Sequence, residues 1–122
     1  KKVFVKRIPL TDIELCKENE LSTANYFGLP TYFQYGLGSI GFGAWRELNL
    51  LDKTSSWVLH DEFIGFPLMY HWRILPRSRN KTTDKEQQSV AEYIERWSAV
   101  EEIRNIFELK LLAKYELTVF LE

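Results

Sequence analysis

The stretch Tyr32–Leu51, YFQYGLGSIGFGAWRELNLL, joins four of the six glycines of the chain to the beginning of a helix. The glycines are spaced Gly36-x-Gly38-x-x-Gly41-x-Gly43. The apolar residues that follow recur at helical spacing and predict a helix over about residues 43–53, which the sequence allows to continue to residue 59. A glycine-rich turn before a helix can cradle a phosphate group, but it can also turn the chain tightly without binding anything.

The composition predicts one globular domain. With 122 residues, the chain is long enough for one core and too short for a doubly wound nucleotide domain plus a second domain. Sixteen Lys and Arg against seventeen Asp and Glu argue against a nucleic-acid partner or an anionic membrane surface. The lone Cys16 fits a reducing, cytoplasmic location. His60 and His71 have no cysteine partners at metal-ligand spacing, so no metal site is predicted.

The remaining segments predict an α+β fold with a small, mainly antiparallel sheet. Strands are predicted at residues 3–8, where Pro9 ends the strand, at residues 66–75 and at residues 115–120. Thr11 is predicted to cap a short helical turn, with Glu14 three residues later. Residues 31–35 are either a short strand or an aromatic loop. Residues 84–114 form one long amphipathic helix or two helices broken near Ser98.

Two further expectations concern surfaces and ends. Alternation within the second strand places Leu68, Tyr70, Trp72 and Ile74 on one face of the sheet. The aromatic content of 15% raises the expectation of an apolar face that meets a partner protein or a second copy of the chain. Because the sequence begins and stops within strands, residues 1–122 are expected to be one domain that forms half of a larger, two-lobed fold.

The order of elements resembles the amino-terminal lobe of protein kinases, from the third strand to the hinge. Val3-Phe4-Val5-Lys6 looks like the Val-Ala-Ile-Lys signature of that family. Trp45-Arg46-Glu47-Leu48 corresponds to the helix that carries the partner glutamate. Residues 36–51 and 68–76 are similar to a bacterial group of kinase-like proteins whose substrates are poorly defined.

The resemblance implies an ATP site. It makes Lys6 the lysine that contacts the nucleotide phosphates and Glu47 the glutamate that holds it. It places Phe120 at the back of the adenine pocket and Leu121-Glu122 at the start of the hinge, whose backbone meets the adenine edge. The His-Arg-Asp and Asp-Phe-Gly motifs are absent from the sequence, so ATP with magnesium is expected only when a second lobe is present, and phosphoryl transfer is not expected from this chain alone.

Two alternatives remain open. One is a non-catalytic protein-interaction module, which the aromatic content favours. The other is a dinucleotide-binding fragment, with residues 31–35 as the strand, Gly36-x-Gly38-x-x-Gly41 as the turn, and Asp61 or Glu62 as the ribose ligand. In the kinase-like interpretation the glycines bind nothing themselves. They instead form a flexible start to the helix and allow Glu47 to swing toward or away from Lys6.

Overall fold

The computed structural model describes residues 2–37, 39–78, 84–97 and 100–122. The described elements, in chain order, are β1 (Phe4–Leu10), α1 (Asp12–Leu15), α2 (Thr31–Gln34), α3 (Ala44–Leu59), β2 (Met69–Pro76), α4 (Asp84–Arg96), α5 (Glu101–Leu112) and β3 (Tyr115–Leu121). A single 3-10 turn, Lys17–Asn19, follows α1. Within these ranges, no helix combines the length and the apolar character that crossing a bilayer requires.

The three strands form one antiparallel sheet in the order β1-β3-β2. The last strand in the sequence is therefore the central strand, and the first strand is an edge. Lys6 lies opposite Val119, and Trp72 lies opposite the same valine from the other side. This arrangement confirms the α+β class and the small antiparallel sheet.

Helix α3 covers one face of the sheet. Its residues Ala44, Trp45 and Leu48 are buried against alternate residues of β1 and β3, and the core they share comprises Ile8, Leu10, Ala44, Trp45, Leu48, Leu117, Val119 and Leu121. These positions recur every three or four residues in α3 and every second residue in the strands, as one-sided burial requires. A second core joins α2 to α5 through Leu29, Phe33, Ile103, Ile106 and Phe107, and partly buried residues of α4 (Val90, Tyr93 and Ile94) pack against it.

Strand β1 continues past the predicted end at residue 8. Pro9 is inside the strand and pairs with Glu116, and the strand ends at Leu10. Proline is tolerated here because β1 is an edge strand, where a missing N–H need not break a ladder. The predicted cap is confirmed: Thr11 and Glu14 form a capping box at the start of α1.

The prediction that Leu68, Tyr70, Trp72 and Ile74 share one face of the sheet is wrong for the first half of the strand. A register shift between Met69 and His71 adds a residue to β2, and such a bulge turns the following side chains to the other face. Met69 and Trp72 consequently pack on the core, whereas Tyr70 is exposed. The strand also begins at Met69, three residues later than predicted, and includes Pro76.

The structure decides two predictions that had left alternatives open. Residues 31–34 form helix α2, so neither the strand nor the loop predicted there is correct. Phe33 is fully buried in the second core, which explains why an aromatic run became helical. Of the two options for residues 84–114, two separate helices are present, and the predicted break at Ser98 lies outside the described residues.

Candidate functional site

Lys6 and Glu47 form an ion pair that joins β1 to α3. The Lys6 ammonium donates a hydrogen bond to Oε1 of Glu47, across 41 residues of sequence. Lys6 shares the helix-covered face of β1 with Ile8 and Leu10, because alternate residues of a strand face the same side. The Lys6 side chain keeps 44% of its exposure and that of Glu47 keeps 22%, so a solute can reach the pair.

The rotation of α3 directs Glu47 toward the sheet. The indole Nε1 of Trp45 donates to the Glu14 carbonyl oxygen at 2.7 Å, which anchors one side of the helix. The guanidinium of Arg46 stacks over the ring of Tyr35 at 4.7 Å and lies 5.1 Å from the ring of Phe42. With these two neighbours held, the next residue in the turn is Glu47, on the side that faces Lys6.

Glu14 fixes the start of the same helix. Its Oε1 accepts a hydrogen bond from the Ala44 N–H at 3.0 Å, and its Oε2 accepts one from the N–H and one from the hydroxyl of Thr11, both at 2.9 Å. A carboxylate at the first turn of a helix also meets the positive end of the helix dipole. Glu14 is completely buried, so α1 and the beginning of α3 are tied together inside the protein.

Lys110 of α5 lies near both acids. Its ammonium donates to the Ile40 carbonyl oxygen at 2.7 Å. Burial lowers the pKa of Lys110 from its usual 10.5, while the negative charges of Glu14 and Glu47 act in the opposite direction. Glu47 therefore interacts with two ammonium groups. It contacts that of Lys6 directly and acts on that of Lys110 through space.

The predicted adenine residues are not all brought to Lys6. Leu117, Val119 and Leu121 face the α3 core, so Phe120 faces the opposite side of the sheet, where its ring stacks on His71 at 6.0 Å. Leu121 lies in the central strand between Phe4 and Met69. The Glu122 N–H donates to the Leu68 carbonyl oxygen at 2.9 Å. Val119 and Leu121 are therefore the side chains that share the Lys6 face.

The glycines pack against neighbouring groups. A Cβ at Gly36 would meet the Trp97 ring and the Tyr32 carbonyl oxygen at 2.5 Å, and one at Gly41 would meet the Phe33 ring at 2.9 Å. Gly38 lies outside the described residues. The dinucleotide interpretation requires a strand before these glycines and a parallel sheet, whereas the structure has helix α2 there and antiparallel pairing throughout the described sheet. The described residues therefore lack the strand and the parallel sheet that a dinucleotide site requires.

Gly43 is the N-cap residue of α3, so the helix begins at Ala44, one residue after the predicted start. Its φ of 73° lies in the left-handed region that glycine adopts without strain. Asp61, one of the predicted ribose ligands, also has a positive φ, of 56°, and lies in the exposed turn after α3 with Glu62. No group of three His, Cys, Asp or Glu in the described ranges has a geometry that would hold a metal ion.

Sequence reasoning selected Lys6 and Glu47 but missed Glu14 as a support and Lys110 as a neighbour. The capping pattern identified Glu14 only as a local partner of Thr11. Nothing in the sequence pairs Glu14 with Ala44, 30 residues away, or distinguishes Lys110 from the other lysines of an amphipathic helix.

Comparison with known proteins adds no identification: no family model matches the chain, and neither curated proteins nor solved structures give a significant match.

Proposed function

We propose that this chain is the nucleotide-side lobe of a protein-kinase-like phosphotransferase. The observation that supports the proposal is the Lys6–Glu47 ion pair between an edge strand and the helix that covers it. The order of the sheet supports it as well, because β1, which carries Lys6, lies directly beside the strand that leads to residue 122. The resemblance in sequence and this geometry select the same two residues.

The chemistry expected of the pair is phosphate binding. An ammonium group binds phosphate oxygens as a point charge, and a carboxylate beside it fixes its position. Lys6 is exposed enough to contact a phosphate group while it remains near Glu47. The adenine would then lie against the Lys6 face, near Val119 and Leu121, and not against the Phe120 ring.

Among the residues that the structure describes, no cluster of carboxylates has the geometry to hold magnesium. In this proposal the metal ligands and the carboxylate that receives the substrate proton belong to the second lobe. The isolated chain is therefore a half-site that binds nucleotide weakly and transfers nothing.

The test is nucleotide binding to this chain and to a longer chain that includes the second lobe. Thermal shift and calorimetry with ATP are expected to detect weak binding to the wild-type chain, which Lys6→Met abolishes and Glu47→Gln weakens. Lys2→Met removes a neighbouring exposed lysine without touching the pair and should leave binding intact. Binding of ATP that survives Lys6→Met would refute the role of this lysine, and stabilisation by NAD but not ATP would refute the kinase-like assignment.

A second candidate is a protein-interaction module. Apolar side chains are exposed together where α3 ends and before β2 begins: Leu59, Phe63, Ile64 and Phe66. Phe63 and Phe66 contact each other with ring centroids 5.1 Å apart, and Ile64 is 78% exposed. Contiguous exposed apolar groups commonly mark protein contacts.

Sedimentation of the wild-type chain and of Ile64→Asp separates this candidate from the first. Association that Ile64→Asp abolishes, together with the absence of ATP binding, would favour the interaction module. Monomeric behaviour of both proteins with ATP binding that depends on Lys6 would favour the kinase-like lobe.

A further inference from the structure

The face of the sheet that points away from α3 carries a row of three paired residues, two of which are positively charged. Since Leu117, Val119 and Leu121 face the α3 core, the residues between them face the other side. Thr118 is central on that face. Its partner in β1 is Arg7 and its partner in β2 is Arg73, so the three side chains form one cross-strand row.

The row places one arginine on each side of Thr118. Neighbouring strands lie about 4.8 Å apart, so the backbones of Arg7 and Arg73 are separated by about 10 Å with Thr118 midway. Both arginines are exposed. Two long side chains from flanking strands can converge above the central residue, and a planar guanidinium is the group best suited to bind the oxygens of a phosphate.

Thr118 supplies the second observation. It is only 1% exposed, and its Oγ1 has no hydrogen-bond partner. A buried hydroxyl without a partner carries a free-energy cost, and valine at this position would avoid that cost in the centre of a sheet. The hydroxyl is a donor on the strand between those of the two arginines, and a bound oxyanion would supply its missing acceptor.

The existing contacts leave donors for a ligand. Nη1 of Arg7 donates a hydrogen bond to Oε1 of Glu116 at 2.8 Å, and Nε of Arg73 donates one to Nε2 of His71 at 2.9 Å. Each guanidinium has five N–H donors, so most remain. Two arginines against one carboxylate leave the row with a net positive charge.

The adjacent row is aromatic. Phe120 and His71 pair with each other two residues along the strands from Thr118 and Arg73, and their rings stack with an interplanar angle of 23°. Two residues along a strand correspond to about 6.6 Å. A ring attached to a phosphate held by the arginines would reach this surface.

We propose that Arg7, Thr118 and Arg73 form a binding site for a phosphomonoester dianion on the face of the sheet opposite Lys6. The guanidinium groups bind its oxygens from two sides, and the Thr118 hydroxyl donates to it from below. This site is separate from the Lys6–Glu47 pair and does not depend on the kinase-like proposal.

Calorimetry with inorganic phosphate and with phenyl phosphate, at constant ionic strength, tests the site. The comparison of the two also shows whether the ligand is the free anion or an aryl phosphomonoester. Phenyl phosphate should bind several-fold more tightly if the natural ligand is an aryl phosphomonoester that uses the Phe120 surface, and equally if the free anion is bound. Thr118→Val and Arg73→Gln should each weaken binding about tenfold or more, because each removes a hydrogen bond to a charged group. Arg7 is not substituted, because its loss would leave the buried Glu116 carboxylate without its ion-pair partner.

Arg104→Gln, on the exposed side of α5, makes the same change in net charge away from the site and should not alter the dissociation constant. Lys6→Met should not alter it either. Binding that is undetectable at about 10 mM phosphate, or unchanged in Thr118→Val and Arg73→Gln, would overturn the proposal. Equal weakening by Arg73→Gln and Arg104→Gln would also overturn it, because diffuse charge would then explain the binding.

Discussion

The Glu14 carboxylate accepts a hydrogen bond from the Ala44 N–H at 3.0 Å, which ties the short helix α1 to the first turn of α3. The same carboxylate closes the capping box with Thr11. One buried acid thus satisfies a local cap and a helix 30 residues further along the chain. Because Glu47 lies in the first turn of α3, Glu14 also determines where Glu47 meets Lys6.

We expect Glu14→Ala to lower the free energy of unfolding by about 2–4 kcal/mol, since buried donors of Thr11 and Ala44 lose their acceptor. Glu14→Gln should cost less, because one oxygen remains while the amide group faces a donor. Urea unfolding measures both. Glu18→Ala, at an exposed position of the following 3-10 turn, is the control and should change stability by less than about 0.5 kcal/mol. A cost for Glu14→Ala no greater than that of the control would contradict the assigned role.

The Lys6–Glu47 pair should contribute little to stability. In a double-mutant cycle of Lys6→Met and Glu47→Gln, we expect a coupling energy of about 0.2–1 kcal/mol, because the pair is partly exposed to water. Raising the salt concentration from 0.05 M to 1 M, roughly a fourfold shortening of the screening length, should reduce it further. A coupling above about 2 kcal/mol would mean that the pair serves mainly to hold the fold together, and it would weaken the case for a binding role.

Gly43→Ala should destabilise the chain by about 1–3 kcal/mol, because the φ of 73° at this position strains any residue that carries a Cβ. The new Cβ would lie 3.5 Å from Oε1 of Glu14, an ordinary contact, so the backbone is the cause of the cost. Ser56→Ala within the same helix provides the reference in thermal or urea unfolding, and an equal effect of the two changes would refute the strain argument.

Tyr26 should titrate well above an ordinary tyrosine. Burial and the negative charge of Glu14 raise the pKa of Tyr26 from 10.0 to about 12, although the positive charge of Arg46 acts in the opposite direction. The folded chain therefore keeps the Tyr26 proton between pH 10 and pH 12, whereas the unfolded chain releases it. The contribution of Tyr26 to stability is complete below pH 10 and is lost as the pH rises toward 12.

Absorbance of tyrosinate measures this titration directly. Tyr26→Phe should remove the transition near pH 12, and Tyr32→Phe, which removes the hydroxyl of an exposed tyrosine, should leave that transition in place. A titration of Tyr26 at pH 10 in the folded chain would show that the phenol is not buried near Glu14.

Much of the local structure follows from the sequence because its causes lie within a few residues. The capping box needs only Thr11 and Glu14, the helix after Gly43 needs only the spacing of Trp45 and Leu48, and both were predicted correctly. The prediction for residues 31–35 was wrong because Phe33 became helical through packing against α5, more than 60 residues away. The bulge at Met69 reversed part of a face that strict alternation had assigned, since period alone does not reveal an inserted residue.

The candidate site divides in the same way. From the sequence alone, one can predict a lysine in a strand, a glutamate in a helix and the spacing that makes one face of each element apolar. Only the tertiary structure decided that Lys6 meets Glu47, that Phe120 lies on the other face of the sheet, and that Arg7, Thr118 and Arg73 form one row. The physical reason is that these relations depend on β3, the last strand, pairing between β1 and β2, and such long-range pairing is selected by burial of the whole core and not by any local preference of the chain.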